Sequence, residues 1–255
     1  MKIVRLAREL TPPAAGKRRA VVMTMGALHE GHLTLVRSAR AAADEVLVTI
    51  FVNPLQFNDP TDLEKYPRTL DADAELLEAE GVDIVYAPEP SDIYPHGTPI
   101  VTVSAGTIND VFEGSHRPGH FDGVLTVVLK LMQRTRPDVA FFGQKDAKQV
   151  IAIRTMCRDL DLPVGISVVP TVRDTDGLAL SSRNVFLSPT ERSDALALSR
   201  ALAVADATAR LGAPVSEVLS AGRAVLEAVP AITVDYFAAL DPASAHGVDE
   251  DYRGE

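Results

Sequence analysis

Four of the six histidines in this sequence lie in two short motifs, and the first motif has a spacing that could support chemistry on a phosphate group. GALHEGHL places His29 and His32 three residues apart, directly after a short apolar run. Histidines in the first turn of a helix, together with the unpaired backbone N–H groups there, suit a polyphosphate. Two solvated histidines on a surface helix explain this motif equally well when it is taken alone.

The same motif fails two better-known signatures. A phosphate-binding P-loop has the pattern GxxxxGK[ST], but His32 stands at the lysine position and Leu33 at the hydroxyl position. A zinc metalloprotease needs HExxH, with histidines four residues apart on one helical face, and this chain has HExH. The motif therefore predicts neither a Walker-type nucleotidase nor a zinc site.

Two other polar segments are candidates for binding loops. EGSHRPGHFDGV brings His116, Arg117 and His120 together ahead of a predicted apolar helix, and its glycines and proline favour a shaped loop. DGLALSSRN ends in two serines and Arg183, whose hydroxyl and guanidinium groups can close over a phosphate. Either segment alone is also explained as a solvated surface loop.

The segment FFGQKDAKQ joins a predicted strand to a predicted helix. The strand ends at Gly143 and the helix begins near Lys145, which puts Lys145 and Gln149 four residues apart on one helical face. Ligands of α/β proteins bind beyond the carboxyl ends of the strands, so these two side chains are candidates for a site. Lys148 is expected to be a solvated neighbour.

The elements that must position these residues follow from hydrophobic periodicity, because short apolar runs alternate with helical patterns. The predicted strands cover 20–23, 46–52, 83–87, 99–103, 138–142 and 164–169. The clearest helices cover 33–45, 69–81 and 121–137. Helical segments between most of the predicted strands predict an α/β fold, a Rossmann-like doubly wound, mostly parallel sheet.

The pattern changes after residue 172, where a polar, turn-rich stretch begins. SPTE then supplies an N-cap serine, Ser188, and a capping-box glutamate, Glu191, for an alanine-rich helix. A second helix over 212–229 and a strand over 232–240 follow. We therefore expect a Rossmann-like domain at 1–172 and a second, smaller α+β C-terminal domain at 173–255.

Composition narrows the class of protein. The chain has 255 residues, 46% of them hydrophobic, and a net charge of −10 that disfavours nucleic acid but allows a small anionic ligand where basic groups converge. No apolar run is long enough to span a bilayer and the N-terminus lacks a secretory signal, so a cytoplasmic protein without membrane association is expected. Cys157, the single cysteine, is expected to be a buried, unreactive thiol.

Six motifs carry a family resemblance when they are read together. In order they are TMGALHEGHL, FVNPLQF, YPRTLDAD, RPGHFDGVLTVV, GQKDAKQ and DGLALSSRN. They cover nearly the whole chain, and HEGH is similar to the HxGH signature of the nucleotidylyltransferases. The sequence therefore resembles the pantothenate synthetase (pantoate–β-alanine ligase) family of that superfamily.

The resemblance implies ATP-dependent condensation of pantoate with β-alanine through a pantoyl adenylate, releasing pyrophosphate and AMP. It also implies Mg²⁺ with the ATP, a homodimer, nucleotide and pantoate binding by residues 1–172 and a lid role for residues 173–255. Such a reaction needs no covalent enzyme intermediate, because the carboxylate of pantoate attacks the α-phosphate. The protein aligns two anions and stabilises charge on the transferring group.

The resemblance also implies roles for individual residues, with His29, His32, Lys145 and Arg183 as the catalytic set. The residues expected to bind ATP are Met25, His29, His32, Gly143, Lys145, Asp146, Val172, Leu180, Ser181, Ser182 and Arg183. Those expected to bind pantoate are Met25, Gln56 and Gln149. The further positions implied are Asn53, Tyr66, Arg117 and His120, and no residue is expected to be a metal ligand.

The sequence departs from the family pattern at a few positions. Met23 replaces a proline, Gln144 a glutamate, Ala147 a tyrosine and Leu180 a methionine, and the family usually has further strands after the point where this sequence stops. Two alternatives stay open: another nucleotidylyltransferase of the same fold, or a non-catalytic adenylate-binding protein. The NPLQF motif argues against the first alternative, because it favours a small hydroxy acid as the substrate. The four converging polar groups of the catalytic set argue against the second, because a protein without catalysis does not need them.

Overall fold

A computed structural model describes residues 1–250 and 252, which form six strands, nine α-helices and several short 3-10 turns. The strands are β1 Lys2–Val4, β2 Arg19–Thr24, β3 Glu45–Ile50, β4 Ile84–Tyr86, β5 Val139–Gly143 and β6 Gly165–Val169. The helices are α1 Glu30–Ala42, α2 Pro60–Lys65, α3 Leu70–Ala79, α4 Pro90–Ile93, α5 Glu113–His116, α6 His120–Thr135, α7 Ala147–Asp159, α8 Pro189–Arg210 and α9 Val215–Glu227.

The six strands form one parallel sheet in the order β1-β4-β3-β2-β5-β6. The chain builds outward from β2 through β3 and β4 on one side, then returns to place β5 and β6 on the other. This confirms the predicted doubly wound α/β fold. Parallel sheets of this kind bind ligands outside the carboxyl ends of the strands, where the strand order reverses, which here is between β2 and β5.

Strand β2 shows why helices cover both faces of the sheet. Ala20 and Val22 are buried on one face, in the same cluster as Val36 of α1. Val21 is buried on the opposite face, in the same cluster as Val128 of α6. Side chains alternate between the faces of a strand, so a strand that is apolar at consecutive positions needs a hydrophobic layer on each side.

Two predicted strands are wrong. Residues 99–103 form no strand, and Ile100 and Val101 are 102% and 86% exposed. The position beside β4 that another strand could occupy is taken by β1, which was not predicted and pairs Lys2 with Ile84. Residues 232–240 also contain no strand; in the described part of this region, β-type pairing is limited to an isolated bridge between Leu240 and Gly247. Apart from that bridge, these two β-rich segments pair with no strand among the described residues.

The region after β6 contains the two long helices that were predicted. Ser188 caps α8 by accepting from the backbone N–H of Glu191 at 3.3 Å, and the Glu191 carboxylate accepts from the Ser188 N–H at 2.8 Å. Helices α8 and α9 pack through a small cluster that includes Ala201 and Leu226. Beyond α9 the chain returns to the main core, where Ala245 is fully buried.

Two further expectations concern single features of the chain. Cys157 is buried in α7, as predicted, and burial raises the pKa of its thiol. None of the described helices combines the length and the apolar character that crossing a membrane requires.

Candidate active site

A cavity of about 230 Å³ lies at the carboxyl ends of β2, β5 and β6. Its lining contains every site residue expected from the sequence except Asn53, although these residues are spread over much of the chain. The expected residues that line it are Met25, His29, His32, Gln56, Tyr66, Arg117, His120, Gly143, Lys145, Asp146, Gln149, Val172, Leu180, Ser181, Ser182 and Arg183.

The two histidines of HEGH form the N-terminal cap of α1. His29 is the N-cap residue, and its Nδ1 accepts from the N–H of Gly31 at 3.2 Å. The Nδ1 of His32 accepts from the N–H of His29 at 3.3 Å. The arrangement resembles a capping box, whose side chains are also three residues apart. Because both Nδ1 atoms accept, each ring carries its proton on Nε2, where it can be donated to a ligand.

Both histidines are held in the neutral form. Burial lowers the pKa of His29, and the charge of Lys145 lowers it further. Burial, then His29 and Lys145, lower the pKa of His32 from 6.5 to about 3. The two rings lie 4.1 Å apart between centroids, so protonating both would place like charges in contact. Near neutral pH this pair therefore offers two N–H donors rather than two cations.

Small residues and one carboxylate shape the approach to these rings. A Cβ at Gly31 would lie 3.0 Å from the His29 ring, so the glycine allows the ring to fold back over the helix start. The buried carboxylate of Asp73 accepts from the N–H groups of Ala27 and Leu28, at 3.0 and 2.8 Å. Asp73 was not predicted as a site residue. It fixes the turn that leads into His29, across a sequence distance that no local pattern reveals.

Gln56 lies in a 3-10 turn, Pro54–Gln56, which follows β3. Its side-chain oxygen accepts from Asn53 Nδ2 at 3.2 Å, and its Nε2 lies 3.3 Å from the sulfur of Met25. Asn53 is buried and also donates to the carbonyl oxygen of Gly123 at 3.1 Å. Asn53 does not line the cavity, and its observed contacts are those of a residue that holds the turn.

His120 connects this turn to the loop around α5. Its Nδ1 lies 2.9 Å from the carbonyl oxygen of Gln56, and its Nε2 lies 3.1 Å from a guanidinium nitrogen of Arg117. Arginine can only donate, so Nε2 accepts and the His120 proton is on Nδ1, which donates to Gln56. Burial lowers the pKa of His120, and Arg117 adds to that effect while the Gln56 bond opposes it.

Arg117 in turn donates to Glu113 at 2.9 Å. Glu113 lines the cavity and was not predicted as a site residue, although its spacing of four residues from Arg117 is the spacing of a helical ion pair. Glu113, Arg117, His120 and Gln56 thus form one hydrogen-bonded chain along a wall of the cavity.

Another part of the lining follows β5. Lys145 lies in a 3-10 turn, Gln144–Asp146, so α7 begins two residues later than the helix predicted to start near Lys145. Lys145 and Gln149 both line the cavity, and the Lys145 ammonium lies 3.4 Å from the Asp146 carboxylate.

The prediction that Lys148 is solvated is wrong. Its side chain is only 4% exposed and donates to the carbonyl oxygen of Val111. Its ammonium also lies 5.7 and 5.1 Å from the ring centroids of Phe112 and Phe121. Burial lowers the pKa of Lys148, while the charges of Glu113 and Asp110 raise it. Lys148 therefore fastens the loop that carries Arg117 instead of facing solvent.

Part of the DGLALSSRN segment, residues 180–183, lines the cavity. The N–H of Leu180 donates to the carbonyl oxygen of Val172 at 3.0 Å, and both residues line the part of the cavity, with Tyr66 and residues 181–183, that we call its mouth. Ser181 caps a 3-10 turn by accepting from the N–H of Arg183 at 3.2 Å. The hydroxyl of Ser182 lies 3.3 Å from that of Tyr66, and the Arg183 guanidinium lies over the Tyr66 ring.

Comparison with known proteins identifies the family. A model of the family described as pantoate-beta-alanine ligase matches residues 2–253. The chain belongs to the pantoate–β-alanine ligase family. A pantothenate synthetase of Streptomyces avermitilis is 46% identical, with 99% of this chain and 91% of that protein covered. A relative from Salinispora arenicola is 55% identical over 87% of this chain and 79% of its own length.

Solved structures of the family have the same fold. The crystal structure of pantothenate synthetase from Thermus thermophilus has a TM-score of 0.92 and 44% identity, covering 98% of this chain and 91% of that one. A pantoate–β-alanine ligase from Francisella tularensis, complexed with beta-gamma ATP and β-alanine, has a TM-score of 0.77 and 36% identity. The match to it covers 88% of this chain and 86% of the Francisella chain.

The four departures from the pantoate–β-alanine ligase pattern fall into two groups, those that line the cavity and those that do not. Met23 and Leu180 line the cavity and keep apolar side chains there, whereas Gln144 and Ala147 do not line it. Among residues 1–250 and 252, no group of three or more His, Cys, Asp and Glu side chains could hold a metal ion. The carboxylates that line the cavity, Glu113 and Asp146, each lie beside a cation.

Proposed function

We propose that this chain is an AMP-forming ligase that joins pantoate to β-alanine through a pantoyl adenylate. A carboxylate oxygen of pantoate attacks the α-phosphorus of ATP, and the bond to pyrophosphate breaks. The amine of β-alanine then attacks the acyl carbon, AMP leaves with the electron pair of the acyl–oxygen bond, and the amine loses a proton. Family membership supports the overall reaction.

One observation carries the proposal for the site: two neutral Nε2–H donors and three cationic side chains, Lys145, Arg183 and Arg117, share a cavity with two neutral amides. Lys145 and Arg183 would bind the triphosphate by charge. His29 and His32 would donate to the phosphate oxygens as charge develops at the α-phosphate, and donors already oriented for that purpose need no reorganisation.

The amides suit the second anion. Gln56 and Gln149 would hydrogen-bond the hydroxyl and carboxylate groups of pantoate without adding charge that would hold the acid too tightly. Met25, whose sulfur already contacts the Gln56 amide, would pack against the apolar part of pantoate. Arg117 and His120 would order the loop on the β-alanine side, in agreement with the hydrogen bonds that they share.

The remaining cavity residues would hold the adenosine part of ATP. Gly143 and Asp146, at the end of β5, would bind the ribose, and Val172 and Leu180 would pack beside the nucleotide. Ser181 and Ser182 would add hydroxyl donors to the phosphates.

Mg²⁺ would be bound mainly through phosphate oxygens, since Mg²⁺ prefers oxygen ligands and usually keeps several waters. The cavity fits this arrangement, because its two carboxylates already have cationic partners: Glu113 lies beside Arg117 and Asp146 beside Lys145. They are therefore less available as direct ligands of the ion. Mg²⁺ would supply neutralisation of the phosphate charge.

Three broader parts of the proposal follow from the family and the reaction. They are a homodimer, a cytoplasmic location where ATP is available, and a division into a nucleotide- and pantoate-binding domain at 1–172 and a lid domain at 173–255. The partners would be small molecules, with no nucleic acid or membrane.

The decisive experiment follows AMP formation with ATP, Mg²⁺, pantoate and β-alanine, omitting each in turn. We expect AMP release to require all three substrates. ATP with pantoate alone should give about one equivalent of pyrophosphate per site and retain the adenylate. Turnover with another acceptor acid and none with pantoate would instead indicate a different nucleotidylyltransferase, and ATP binding without either product would indicate a non-catalytic protein.

A further inference from the structure

Arg183 has two partners at the cavity mouth, and both belong to the segment that follows the Gln56 turn. One guanidinium nitrogen lies 3.0 Å from the carboxylate of Asp62 in α2, and the guanidinium carbon lies 5.3 Å from the centre of the Tyr66 ring. The hydroxyls of Tyr66 and Ser182 add a third contact at 3.3 Å. These contacts join the segment of α2 and Tyr66 to the 181–183 segment.

The two partners of Arg183 differ in position. Tyr66 and Arg183 line the cavity, whereas Asp62 does not. Asp62 therefore contacts Arg183 from outside the space that substrates would fill. A carboxylate there cannot be a substrate ligand without moving, but it can decide where the guanidinium rests.

The ion pair between Arg183 and Asp62 is weak enough for a stronger anionic partner to replace Asp62. The side chains of Arg183 and Asp62 are 46% and 44% exposed, and pairs with this exposure are weak because water competes for both charges. A triphosphate carries more charge than one carboxylate and offers several oxygens to the planar guanidinium, so it is the stronger partner.

We propose that Asp62 is a positioning residue that holds Arg183 at the cavity mouth before ATP binds and releases it to the triphosphate. The proposal rests on the ATP-binding role proposed for Arg183 above. Asp62 and ATP compete for one guanidinium, so ATP binding also frees α2 from the 181–183 segment. By reciprocity, the factor by which the Asp62 contact weakens ATP binding equals the factor by which bound ATP weakens the Asp62 contact.

The test compares Asp62→Asn with Glu64→Gln. Both substitutions remove one negative charge from α2, but in the described part of the chain the Arg183 guanidinium forms its ion pair with Asp62 and not with Glu64. The dissociation constant for MgATP is measured by calorimetry at fixed ionic strength. We expect Asp62→Asn to bind MgATP about 2- to 5-fold more tightly than Glu64→Gln, the range that an exposed ion pair can supply.

Two further measurements separate the contact from a general effect of charge. In an Arg183→Ala background, Asp62→Asn and Glu64→Gln should bind MgATP equally, because the competing guanidinium is gone. Hydrogen exchange over 180–186 without nucleotide should be faster in Asp62→Asn than in Glu64→Gln, and saturating MgATP should remove that difference.

Each outcome decides between the two proposals. A wild-type protein that does not bind MgATP would overturn the proposed function itself. If the wild type binds MgATP but the two variants have equal affinities, the role of Asp62 is wrong. Weaker binding by Asp62→Asn than by Glu64→Gln would also overturn it, since Asp62 would then support the bound state instead of competing with it.

Discussion

The two nitrogens of His32 differ in their contacts: Nδ1 accepts a backbone hydrogen bond at the start of α1, and Nε2–H is the donor that we propose for the phosphates of ATP. Sequence motifs indicated the pair and its neighbourhood on a helix. They did not indicate that the three-residue spacing is that of the N-cap and N3 positions, which fixes the tautomer of both rings. That information depends on the ring orientation, which is set by Gly31 and by burial.

Replacing His32 with asparagine should make the protein less sensitive to mild acid. The folded state holds the His32 pKa near 3, whereas the unfolded chain takes up the proton near pH 6.5. The contribution of neutral His32 to the free energy of unfolding is therefore fully present above pH 6.5 and is lost as the pH falls from 6.5 toward 3. The maximum slope for one such group is about 1.4 kcal/mol per pH unit.

Urea unfolding at pH 5, 6 and 7 measures this slope. The asparagine Oδ1 can still accept from the His29 N–H, but it does not titrate, and His29 and His120 titrate in both proteins. We expect the free energy of unfolding to fall less steeply from pH 7 to pH 5 in His32→Asn than in the wild type. Parallel slopes would mean that His32 is protonated in the folded protein.

The tautomer of His120 can be tested with two amides of different length. Asparagine places an N–H near Nδ1, where it can donate to Gln56, and glutamine places its amide near Nε2, where it can accept from Arg117. Because only the first keeps the Gln56 turn in place, His120→Gln should raise the KM for pantoate about tenfold more than His120→Asn does, which corresponds to roughly 1.4 kcal/mol for one buried hydrogen bond.

The KM for ATP serves as the internal control for both His120 variants, because the bond in question holds the Gln56 turn, which we assign to pantoate. An equal rise in pantoate KM for asparagine and glutamine would contradict the assigned tautomer. A rise confined to the KM for β-alanine would assign His120 to the α5 loop alone.

At the scale of elements, helix α6 holds the turn that carries Gln56. A Cβ at Gly123 would collide with the carbonyl group of Leu55 and come within 3.0 Å of the Gln56 backbone nitrogen. Neither contact can be relieved by rotating a side chain, because both atoms are main chain. The close approach of α6 to this turn therefore requires glycine.

Gly123→Ala should move the turn and weaken pantoate binding, with a loss of stability of roughly 1 to 3 kcal/mol from overpacking. Gly165→Ala is a matched control, because its Cβ would make only ordinary contacts, the nearest at 3.5 Å, far from the turn. Thermal unfolding and the KM for pantoate measure the two effects. A Gly123→Ala protein with unchanged pantoate KM would show that Gln56 does not depend on α6.

Elements were predicted well where local pattern and tertiary partners agree. The apolar run that gives β2 lies between two neighbours, whereas the similar run at 99–103 has no ladder partner in the described chain and stays exposed. Short β1 lacks a long apolar run, but it has β4 to pair with. In these cases a segment became a strand only where a neighbouring strand offered a free edge for pairing. A local sequence pattern gives no information about that edge.

For the whole molecule, sequence motifs recovered most of the residues around the cavity because each motif carries its polar groups in one short stretch. The supporting contacts were missed because they are long-range. Asp73 accepts from Leu28 across 45 residues, and Lys148 donates to the carbonyl oxygen of Val111 across 37 residues. Spacing within a motif indicates which side chains act together, but it does not show which distant residue holds them.

The strand order has a consequence for synthesis on the ribosome. By the time β4 has emerged, β2, β3 and β4 can already pair, but the second edge of β2 must wait for β5, which begins at Val139. That edge includes Ala20, Val21 and Val22, all apolar. An unpaired apolar edge of this kind can pair with another chain. We therefore expect the nascent protein to be prone to aggregation while residues between β4 and β5 are being translated.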